Sequence, residues 1–523
     1  MSEKTIQLTI DNREVDVAAG ATILDAARIL NIEIPTLCYL EGFPANTSCM
    51  VCIVKVDGRE SLVPACGTKA EDGMSVESDT SEVLAARKAA LELLLSDHAG
   101  DCIGPCQAIC PARMDIPRMI RQIAANQLED AIQTVKADIP LPAVLGRICP
   151  APCEKGCRRG AYDDPVSICL LKRYVADVDL ASESPYLPDC EPENNKPVAI
   201  IGAGPTGLSA AYYLRQMGYA CTIFDEHEKP GGMLQYGVEP EVLDRRVLDA
   251  EIEIVKKLGV EFRFNTRIGE RISLDEIRND FATVFIAIGQ TKVEELKSMG
   301  LPVGKNGIAA DKRTGLTEME GVFAGGAAVR QSKMAVRAVA DGKNAAYAID
   351  QYLTGEKIVG PPEIYTTHIG KLKKGEISEF MKTADADKRI MPSRAGNGYT
   401  DTEAIHQALR CLHCDCRKPI DCKLRMYSRQ YQARPGRFKG ERRNVEVHVQ
   451  HPDVIFEPGK CIDCGICIQI AAQAKENLGL TFVGRGFEVK VKVPFDESIA
   501  AGLANVARQC VQACPTGALV HKH

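Results

Sequence analysis

The sequence has no tryptophan, and aromatic residues make up only 5% of its 523 residues. It also lacks a run of about eighteen apolar residues, the length a helix needs to cross a bilayer, so no membrane span is predicted. The net charge of −6 is too small to indicate binding to nucleic acid or to an anionic membrane surface. The N-terminal residues alternate between apolar and polar, which predicts a strand rather than a signal peptide. These absences favour a cytoplasmic protein of several domains.

Cysteine is the abundant residue, with 22 copies. A disulfide framework is typical of short exported chains, and this chain is long. The cysteines occur in tight groups with two or three residues between them, and such spacing gathers thiolates around one metal centre. The grouping therefore favours metal or iron–sulfur ligation by reduced thiols in the cytoplasm.

The N-terminal region, residues 1–80, is predicted to open with two alternating strands over residues 4–17, followed by a helix capped by Thr22. Its four cysteines are Cys38, Cys49, Cys52 and Cys66. Two cysteines close together in a loop, with one before and one after, suit a 2Fe–2S cluster, with zinc as the alternative. The spacing resembles that of the N-terminal domain in the large iron–sulfur subunit of respiratory complex I and in iron-only hydrogenases. This resemblance implies a β-grasp ferredoxin fold.

Residues 81–185 are predicted to be helical, with one amphipathic helix over residues 116–137. Two cysteine groups flank that helix: Cys102, Cys106 and Cys110, then Cys149, Cys153 and Cys157. The stretch PLPAVLGRICPAPCEKGCRRG is similar to the N-terminal domain of the glutamate synthase small subunit and of dihydropyrimidine dehydrogenase. The resemblance implies a domain with two 4Fe–4S clusters, which need eight ligands, and the two groups supply six.

Two further residues are candidates for the missing ligands. In that family the eighth ligand comes from a helix position that falls at Lys172 here, and Cys169 lies one turn away on the same face. His98 opens an H-x3-C motif that resembles a histidine-ligated cluster of complex I and hydrogenases. A histidine at a helix end is commonly a solvated or capping residue, and that alternative stays open.

Residues 195–357 open with VAIIGAGPTGLSAAYYL, in which a buried strand leads into a G-x-G-x-x-G turn and a helix. This order is a strong pattern for dinucleotide binding, because the glycines let the backbone approach a pyrophosphate at the helix N-terminus. Asp225, at the end of the second strand, would accept the ribose hydroxyls. The stretches EKPGGMLQYGV, FIAIGQ and GVFAGGAAV resemble FAD-contacting segments of the glutamate synthase small subunit family, which implies FAD rather than NAD. The candidate FAD-binding residues are Gly202, Ala203, Gly204, Pro205, Thr206, Gly207, Asp225, Glu226, Gly231, Gly232, Met233, Leu234, Ile288, Gly289, Gly325, Gly326 and Ala327.

Two departures from that family are evident. The aspartate that binds the flavin ribityl chain is replaced by Ala327. The second Rossmann unit, which holds NADPH in the family, is also missing, because the stretch between FIAIGQ and GVFAGG is too short for one and has no second glycine fingerprint. The sequence therefore predicts that NAD(P)H does not bind by the family's route.

The next region, residues 358–403, is polar and is predicted to be a linker. Residues 404–440 follow with Cys411, Cys414, Cys416 and Cys422. Four cysteines in so short a stretch suggest a self-sufficient site, for which a 4Fe–4S cluster is favoured and structural zinc is the alternative.

Residues 441–523 resemble the two-cluster ferredoxin module of complex I and hydrogenases. In that pattern a cluster is held by Cys461, Cys464, Cys467 and Cys514. The second cluster would need positions occupied here by Ala471, Ala504, Ala507 and Cys510, so only one cluster is predicted. Cys190, Cys221 and Cys510 remain unassigned, and Cys221 is expected to be a small core residue.

The sequence thus predicts a multidomain α/β and α+β protein with one 2Fe–2S cluster, up to four 4Fe–4S clusters and one FAD, and with no catalytic residues of its own. The predicted function is that of an electron-transfer subunit in a larger anaerobic oxidoreductase, with FAD as the junction between one-electron and two-electron steps. Its partners would be redox subunits of the hydrogenase, formate or aldehyde oxidoreductase, or NADH-oxidising flavoprotein type, and possible partners include ferredoxin. The alternatives are an NAD(P)H:acceptor oxidoreductase, an electron-bifurcating flavin subunit, and a non-redox scaffold with zinc sites.

Overall fold

The computed structural model describes residues 5–393, 396, 398–438 and 440–522. The strands are β1 (Thr5–Ile10), β2 (Arg13–Ala18), β3 (Ile53–Val56), β4 (Val63–Pro64), β5 (Ser75–Glu77), β6 (Val198–Ile201), β7 (Cys221–Phe224), β8 (Glu261–Arg263), β9 (Thr283–Ile286), β10 (Val303–Gly304), β11 (Gly307–Ile308), β12 (Val322–Ala324), β13 (Val454–Phe456), β14 (Thr481–Val483), β15 (Lys490–Lys492) and β16 (Leu519–His521). The helices are α1 (Ile23–Ile29), α2 (Ser81–Ser96), α3 (Pro105–Ile109), α4 (Ile116–Ala124), α5 (Leu128–Lys136), α6 (Pro142–Ile148), α7 (Pro152–Lys155), α8 (Ile168–Ala181), α9 (Pro205–Gln216), α10 (Met233–Tyr236), α11 (Arg245–Lys257), α12 (Leu274–Asp280), α13 (Val293–Ser298), α14 (Ala335–Thr354), α15 (Glu376–Met381), α16 (Asp401–Leu409), α17 (Lys423–Gln430), α18 (Ile466–Gln473), α19 (Ile499–Gly502) and α20 (Ala507–Ala513).

The chain divides into two compact units, each built from separate stretches of sequence. The first unit comprises Met1–Ile103, Tyr365–Thr383 and His413–His523, and the second comprises Gly104–Ile364 and Ala384–Leu412. This division cuts through two regions that the sequence analysis kept whole. His98 and Cys102 belong to the first unit rather than to the helical one, and Cys411 is separated from Cys414, Cys416 and Cys422.

The N-terminal part of the first unit is a five-stranded mixed sheet in the order β2-β1-β5-β3-β4. Strand β1 pairs antiparallel with β2 and parallel with β5, while β3 is antiparallel to both β5 and β4. Helix α1 begins as predicted, because the Thr22 side chain accepts a hydrogen bond from the backbone N–H of Asp25 and the Asp25 carboxylate bonds back to Thr22. The helix buries Leu24 against the sheet core that contains Ile10 and Val17.

The C-terminal part of the first unit, predicted to be ferredoxin-like, is a small module of short strands and helices. Strands β13 and β16 pair antiparallel, and helices α18 and α20 pack beside each other. Their apolar side chains share one core with helix α2 and with the loop that carries Cys38 and Cys49. This part of the chain therefore packs directly on the N-terminal cysteine loop.

The second unit begins with short helices that differ from the prediction in one place. Residues 116–137 form two helices, α4 and α5, instead of the single helix predicted. The break lies at Asn126, whose φ of 56° is a left-handed conformation that ends α4. Helices α4, α5 and α8 bury a common apolar core, in which Cys169 of α8 takes part.

The rest of the second unit surrounds a fully parallel sheet in the order β12-β9-β6-β7-β8. Strands β6, β7 and β9 are buried along their whole length, as expected for a sheet covered on both faces. Cys221 is buried in β7, which confirms its predicted place in the core. Between β9 and β12, residues 287–321 form only helix α13 and the two-stranded ribbon β10–β11.

The region predicted to be a linker, residues 358–403, contains helix α15, and helix α16 begins in it at Asp401. The capping box of α16 explains its early start, because the Thr400 side chain accepts from the Glu403 N–H. Residues 365–383 belong to the first unit and residues 384–412 to the second. Within the described ranges, no helix is both long enough and apolar enough to cross a bilayer.

Candidate redox sites

The four N-terminal cysteines are buried and lie in two pairs. The Sγ atoms of Cys38 and Cys49 are 3.3 Å apart, and those of Cys52 and Cys66 are also 3.3 Å apart. Two thiolates bound at about 2.3 Å to one tetrahedral metal lie about 3.8 Å apart. The donor set therefore fits a two-metal cluster in which each pair serves one metal.

Hydrogen bonds within these pairs favour one thiolate in each. Contact with the Cys49 thiol lowers the pKa of Cys38 to about 5, although burial opposes this change. Contact with the Cys66 thiol lowers the pKa of Cys52 in the same way. In each pair, one thiol is thus more readily converted to the thiolate, which is the form that metals bind.

All four C-terminal cysteines predicted as ligands line a single enclosed cavity. The cavity lining includes Cys461, Cys464, Cys467 and Cys514, together with apolar side chains such as those of Phe456, Ile466 and Leu519. Burial raises the pKa of Cys461, Cys464 and Cys467. Thiolates in so apolar a cavity need a compensating positive charge, and an iron–sulfur cluster supplies it.

The N-terminal and C-terminal sites are neighbours within the first unit. The Asn46 side-chain amide donates to the carbonyl oxygen of Cys464 over 2.6 Å. The Gln469 amide donates to the carbonyl of Pro44 and to the Asn46 side-chain oxygen, each over 3.0 Å. Cys38 and Cys464 also share one hydrophobic core, so the two sites are held side by side.

Three of the four positions expected to ligate a second C-terminal cluster hold alanine instead of cysteine. Ala471, Ala507 and Cys510 are buried in the core of the module, and Ala504 is exposed. The Cys510 thiol donates a weak hydrogen bond to the carbonyl oxygen of Cys467 over 3.8 Å. Cys510 therefore contacts the backbone of a predicted ligand.

In the second unit, the Cys169 thiol is hydrogen-bonded with Cys149, which lowers its pKa, but the bond with Cys153 and burial raise the pKa to about 11 overall. The side chain of Lys172, one turn further along α8, is 4% exposed and faces the same thiols. Burial lowers the pKa of Lys172, but the nearby sulfurs of Cys169, Cys149 and Cys153 raise it overall. The structure thus brings Cys169 into the group where the sequence analysis placed it, and it adds a buried cation that the sequence did not reveal.

Cys110 approaches the same lysine, since both Lys172 and Cys149 affect its pKa, which burial raises. The other two thiols of the helical region pack against the same core: Cys106 from helix α3, and Cys157 from the turn that follows α7. Cys411 packs there too. The guanidinium of Arg159, two residues after Cys157, donates to the carbonyl oxygen of Arg410 over 2.7 Å.

The glycine-rich turn after β6 has the shape expected of a dinucleotide site. A Cβ atom on Gly202 would lie 2.4 Å from the Ala287 carbonyl oxygen, and one on Gly207 would lie 1.9 Å from the Gly202 oxygen. Only glycine fits these contacts. Helix α9 begins at Pro205, and Gly204 caps it without a side chain, so the first N–H groups of the helix remain available to a phosphate.

The other predicted FAD segments converge on this turn. A Cβ atom on Gly232 would lie 2.9 Å from the Cα of Gly204, and one on Gly326 would lie 2.4 Å from the Thr206 hydroxyl oxygen. The Gly325 N–H donates to the Ile286 carbonyl at the end of β9. The ends of β6, β9 and β12 therefore meet at one edge of the sheet, which is where parallel α/β folds bind nucleotides. These residues fit the pyrophosphate of FAD.

Two predicted FAD residues have other partners. Both carboxylate oxygens of Asp225 accept backbone hydrogen bonds, from Ala203 over 2.7 Å and from His227 over 2.8 Å. Asp225 thus orders the glycine turn, and its predicted contact with ribose remains a proposal. Glu226 pairs with Arg267 over 3.5 Å.

Asp341 of helix α14 was not among the predicted site residues, and no local sequence pattern marks it. Burial raises the pKa of Asp341, while hydrogen bonding from the Gly326 N–H opposes that shift. Asp341 also pairs with Arg330. A carboxylate therefore reaches the Gly325–Gly326 turn beside Ala327, although it comes from a different part of the chain.

Among the described residues, no three His, Cys, Asp or Glu side chains are grouped so that they could hold a single metal ion.

Comparison with known sequences matches three families to successive parts of the chain. Residues 3–81 match the 2Fe-2S iron-sulfur cluster binding domain, and residues 92–184 match dihydropyrimidine dehydrogenase domain II, 4Fe-4S cluster. Residues 170–342 match pyridine nucleotide-disulphide oxidoreductase. The chain is assembled from redox-protein domains. The predicted order of a 2Fe–2S domain, a 4Fe–4S domain and a Rossmann-like flavin domain is thereby confirmed.

Several characterised proteins are similar to parts of the chain. It is 39% identical over 205 residues to the NADPH-Fe(3+) oxidoreductase subunit beta of Geobacter sulfurreducens, which covers 39% of this chain and 30% of that protein. It is 40% identical over 206 residues to the NADP(+)-dependent formate dehydrogenase subunit beta of Moorella thermoacetica, covering 35% and 29%. It is 33% identical over 193 residues to the NADH glutamate synthase of Saccharomyces cerevisiae, covering 36% and 9%. The chain thus spans less than a third of each of these relatives.

Among solved structures, an NAD+-reducing [NiFe]-hydrogenase in the H2-reduced state aligns with 99% of this chain and 87% of that one. The TM-score is 0.35 and the sequence identity is 11%, values too low to establish a common overall fold.

Proposed function

We propose that this chain is an iron–sulfur flavoprotein that relays electrons between partner subunits of a larger oxidoreductase. The observation that carries the proposal is the adjacency of the N-terminal and C-terminal thiol sites, which share one core in the first unit and are joined by the Asn46–Cys464 hydrogen bond. Neighbouring iron–sulfur clusters pass single electrons along such a path. The matched redox domains and the subunit names of the relatives support the same conclusion.

The proposed cofactors are one 2Fe–2S cluster, up to four 4Fe–4S clusters and one FAD. FAD accepts two electrons and releases them singly, and this chemistry would connect a two-electron partner to the clusters. The chain's own residues bind and orient the group. The first turn of α9 would hold the pyrophosphate, and Gly204 and Gly232 would let the backbone approach it closely.

The second unit has only helix α13 and a two-stranded ribbon in residues 287–321, between β9 and β12. A nucleotide-binding domain is built from several βαβ units, each of about 30 residues. We therefore propose that the nicotinamide substrate of a complete enzyme binds to a partner subunit, and that this chain receives electrons through its flavin or its clusters.

The experiment that tests this proposal is cofactor analysis of the full chain purified without oxygen. Five filled clusters predict about eighteen irons per chain, with a matching amount of acid-labile sulfide and one FAD. Stepwise reduction should develop the EPR signals of a 2Fe–2S cluster and of several 4Fe–4S clusters. A colourless protein that contains zinc and no iron would refute the proposal and support a non-redox scaffold.

A second candidate, an NAD(P)H:acceptor oxidoreductase, is favoured by the NADPH named in the Geobacter relative. Adding NADPH to the purified chain distinguishes the two functions. For a relay subunit we expect the flavin absorbance to stay unchanged until a partner subunit is added. Bleaching of the flavin by NADPH alone would replace the relay with the oxidoreductase.

A further inference from the structure

Cys102 was predicted to belong to the helical region, but the residues that it contacts lie in the first unit. Its Sγ atom lies 3.3 Å from the hydroxyl oxygen of Thr367. That hydroxyl donates to the carbonyl oxygen of Gly100 over 2.6 Å. The segment before Cys102 is therefore fastened to residues 365–383, which belong to the same unit.

The same segment also lies against the buried side chain of Lys460. The Ala99 N–H donates to the Gly459 carbonyl over 2.7 Å. A Cβ atom on Gly100 would lie 2.8 Å from Cε of Lys460 and 3.3 Å from Nε2 of His98. His98 and the segment leading to Cys102 thus form one side of the space around Lys460.

The opposite side is formed by the stretch that contains Cys416. A Cβ atom on Gly517 would lie 2.5 Å from the Cys416 sulfur and 3.8 Å from Cδ of Lys460. Close to Cys422, the Leu424 N–H donates to the Pro515 carbonyl over 3.3 Å, which holds both cysteines against residues 515–517. The sulfurs of Cys416 and Cys102 lie close enough to Cys422 to interact with it electrostatically.

His98 offers a further candidate donor atom for this site. Its Nδ1 atom is buried and makes no hydrogen bond with the described residues. An imidazole nitrogen is a common metal ligand.

We propose that His98, Cys102, Cys416 and Cys422 hold one 4Fe–4S cluster, and that the four cysteines between residues 411 and 422 do not form a site of their own. All four proposed ligands belong to the first unit, whereas Cys411 belongs to the second, where the Arg159 guanidinium holds the carbonyl of Arg410. The inference rests on the proposed function, because it assumes that the chain binds iron–sulfur clusters.

This site would be the third redox centre of the first unit. The ammonium group of Lys418, two residues after Cys416, donates to the carbonyl oxygen of Cys514 over 2.7 Å. Cys514 lines the C-terminal cavity, and its sulfur lies close enough to Cys422 to interact with it electrostatically. The site around Lys460 therefore adjoins the C-terminal site.

Paired cysteine substitutions in the full chain, purified without oxygen, test this ligand set. Cys102→Ala and Cys416→Ala should each remove about four irons and the same EPR component, and the double variant should lose no more than either single variant. Cys414→Ala should leave that EPR component in place. If Cys411, Cys414, Cys416 and Cys422 form one site instead, Cys414→Ala should remove the same component as Cys416→Ala, the losses of Cys102→Ala and Cys416→Ala should become additive, and the inference is overturned.

A His98→Cys variant provides a second measurement that does not depend on losing the cluster. A thiolate adds negative charge, so the cluster should be retained with a lower midpoint potential, and the EPR component that shifts should be the one removed by Cys416→Ala. A shift in any other component would remove His98 from the set. Cys190→Ala, at an exposed cysteine, is the matched control and should change neither iron content nor spectra. If the unsubstituted chain binds no iron, the proposed function fails, and that result is distinct from every outcome above.

Discussion

Two groups of thiols in this protein each surround a buried lysine, but the two lysines have different partners. Lys172, among Cys110, Cys149, Cys153 and Cys169, has no carboxylate paired with it in the described part of the chain, and the thiols alone raise its pKa against burial. Lys460, beside Cys416, forms an ion pair with Glu457 over 2.7 Å, and both side chains are buried. A lone cation stabilises added electrons on a neighbouring cluster, whereas a paired cation is largely neutralised. We therefore expect different reduction potentials for the clusters proposed at the two sites.

The largest expected effect is the loss of iron when a proposed ligand of the Lys172 group is removed. Cys169→Ala should remove about four irons per chain, because the Cys169 thiol contacts Cys149 and Cys153 in the Lys172 group. Iron and sulfide analysis with EPR of the reduced protein measures the loss. Cys221→Ala serves as the control, since Cys221 is buried in β7 within the flavin-domain core. Unchanged iron content in Cys169→Ala would exclude Cys169 as a ligand.

A smaller effect should follow from removing the unpaired charge. Lys172→Met keeps the length and apolar stem of the side chain but deletes the ammonium group. We expect the midpoint potential of the adjacent cluster to fall by on the order of 100 mV, as estimated for a unit charge at close range with an effective dielectric constant near 20. An EPR-monitored redox titration measures this shift. An unchanged potential with full iron content would contradict the electrostatic role of Lys172.

Removing the charge of Lys460 should shift the midpoint potential of its cluster less than removing the charge of Lys172. Removing the charge of its partner Glu457 should shift that potential in the opposite direction. Lys460→Met should lower the potential of the cluster proposed beside it, and Glu457→Gln should raise it. The double variant should return close to the original value, because the charges of the ion pair cancel. The same titration tests this prediction. Equal shifts of midpoint potential in Lys172→Met and Lys460→Met would show that the ion pair with Glu457 does not weaken the effect of Lys460.

The smallest effect concerns the helix that leads to Cys149. Glu251 accepts hydrogen bonds from the Ala143 and Val144 N–H groups at the start of α6, and burial raises its pKa to about 7. The usual value is about 4.3, so the folded state binds the proton more tightly than the unfolded state, and stability should fall as the pH rises from about 4.5 to 7.

Thermal unfolding of the anaerobic protein between pH 5 and 8 measures this dependence. Glu251→Gln should reduce the change in unfolding free energy over this pH range by about 2 kcal/mol, which corresponds to a few degrees in Tm for a large domain. Asp244→Asn is a suitable control, because Asp244 also caps a helix but is partly exposed. An equally steep pH profile in Glu251→Gln would show that another group titrates.

Local patterns made much of the fold predictable. The capping box at Thr22 and the glycine turn from Gly202 to Gly207 depend on residues close together in sequence, and both occur as predicted. Cys169 could be identified because helical periodicity places it on the face of Lys172. The prediction of a single helix over residues 116–137 was wrong. The apolar periodicity continues past Asn126, but the left-handed backbone of Asn126 ends the first helix there.

The remaining features depend on contacts between distant segments, which spacing in the sequence does not encode. The approach of Cys102 to Cys416, and of Asp341 to Gly326, arises only after separate segments have packed. Four cysteines close together in sequence suggested one site, yet Cys411 belongs to a different unit from Cys416. The ligand set predicted from sequence proximity therefore stays a prediction, and the packing of distant segments favours the alternative set proposed above.

The alanine positions of the C-terminal module have a consequence for the order in which the protein is assembled. Ala471 and Ala507 pack with Leu480, Val493 and Leu503 in a dense apolar core. A module with two clusters must wait for iron to fill both halves of its interior, but here one half is completed by side chains alone. We therefore expect this half to fold during synthesis and to present the cavity of Cys461 and Cys514 as a ready receptor for the iron delivered afterwards.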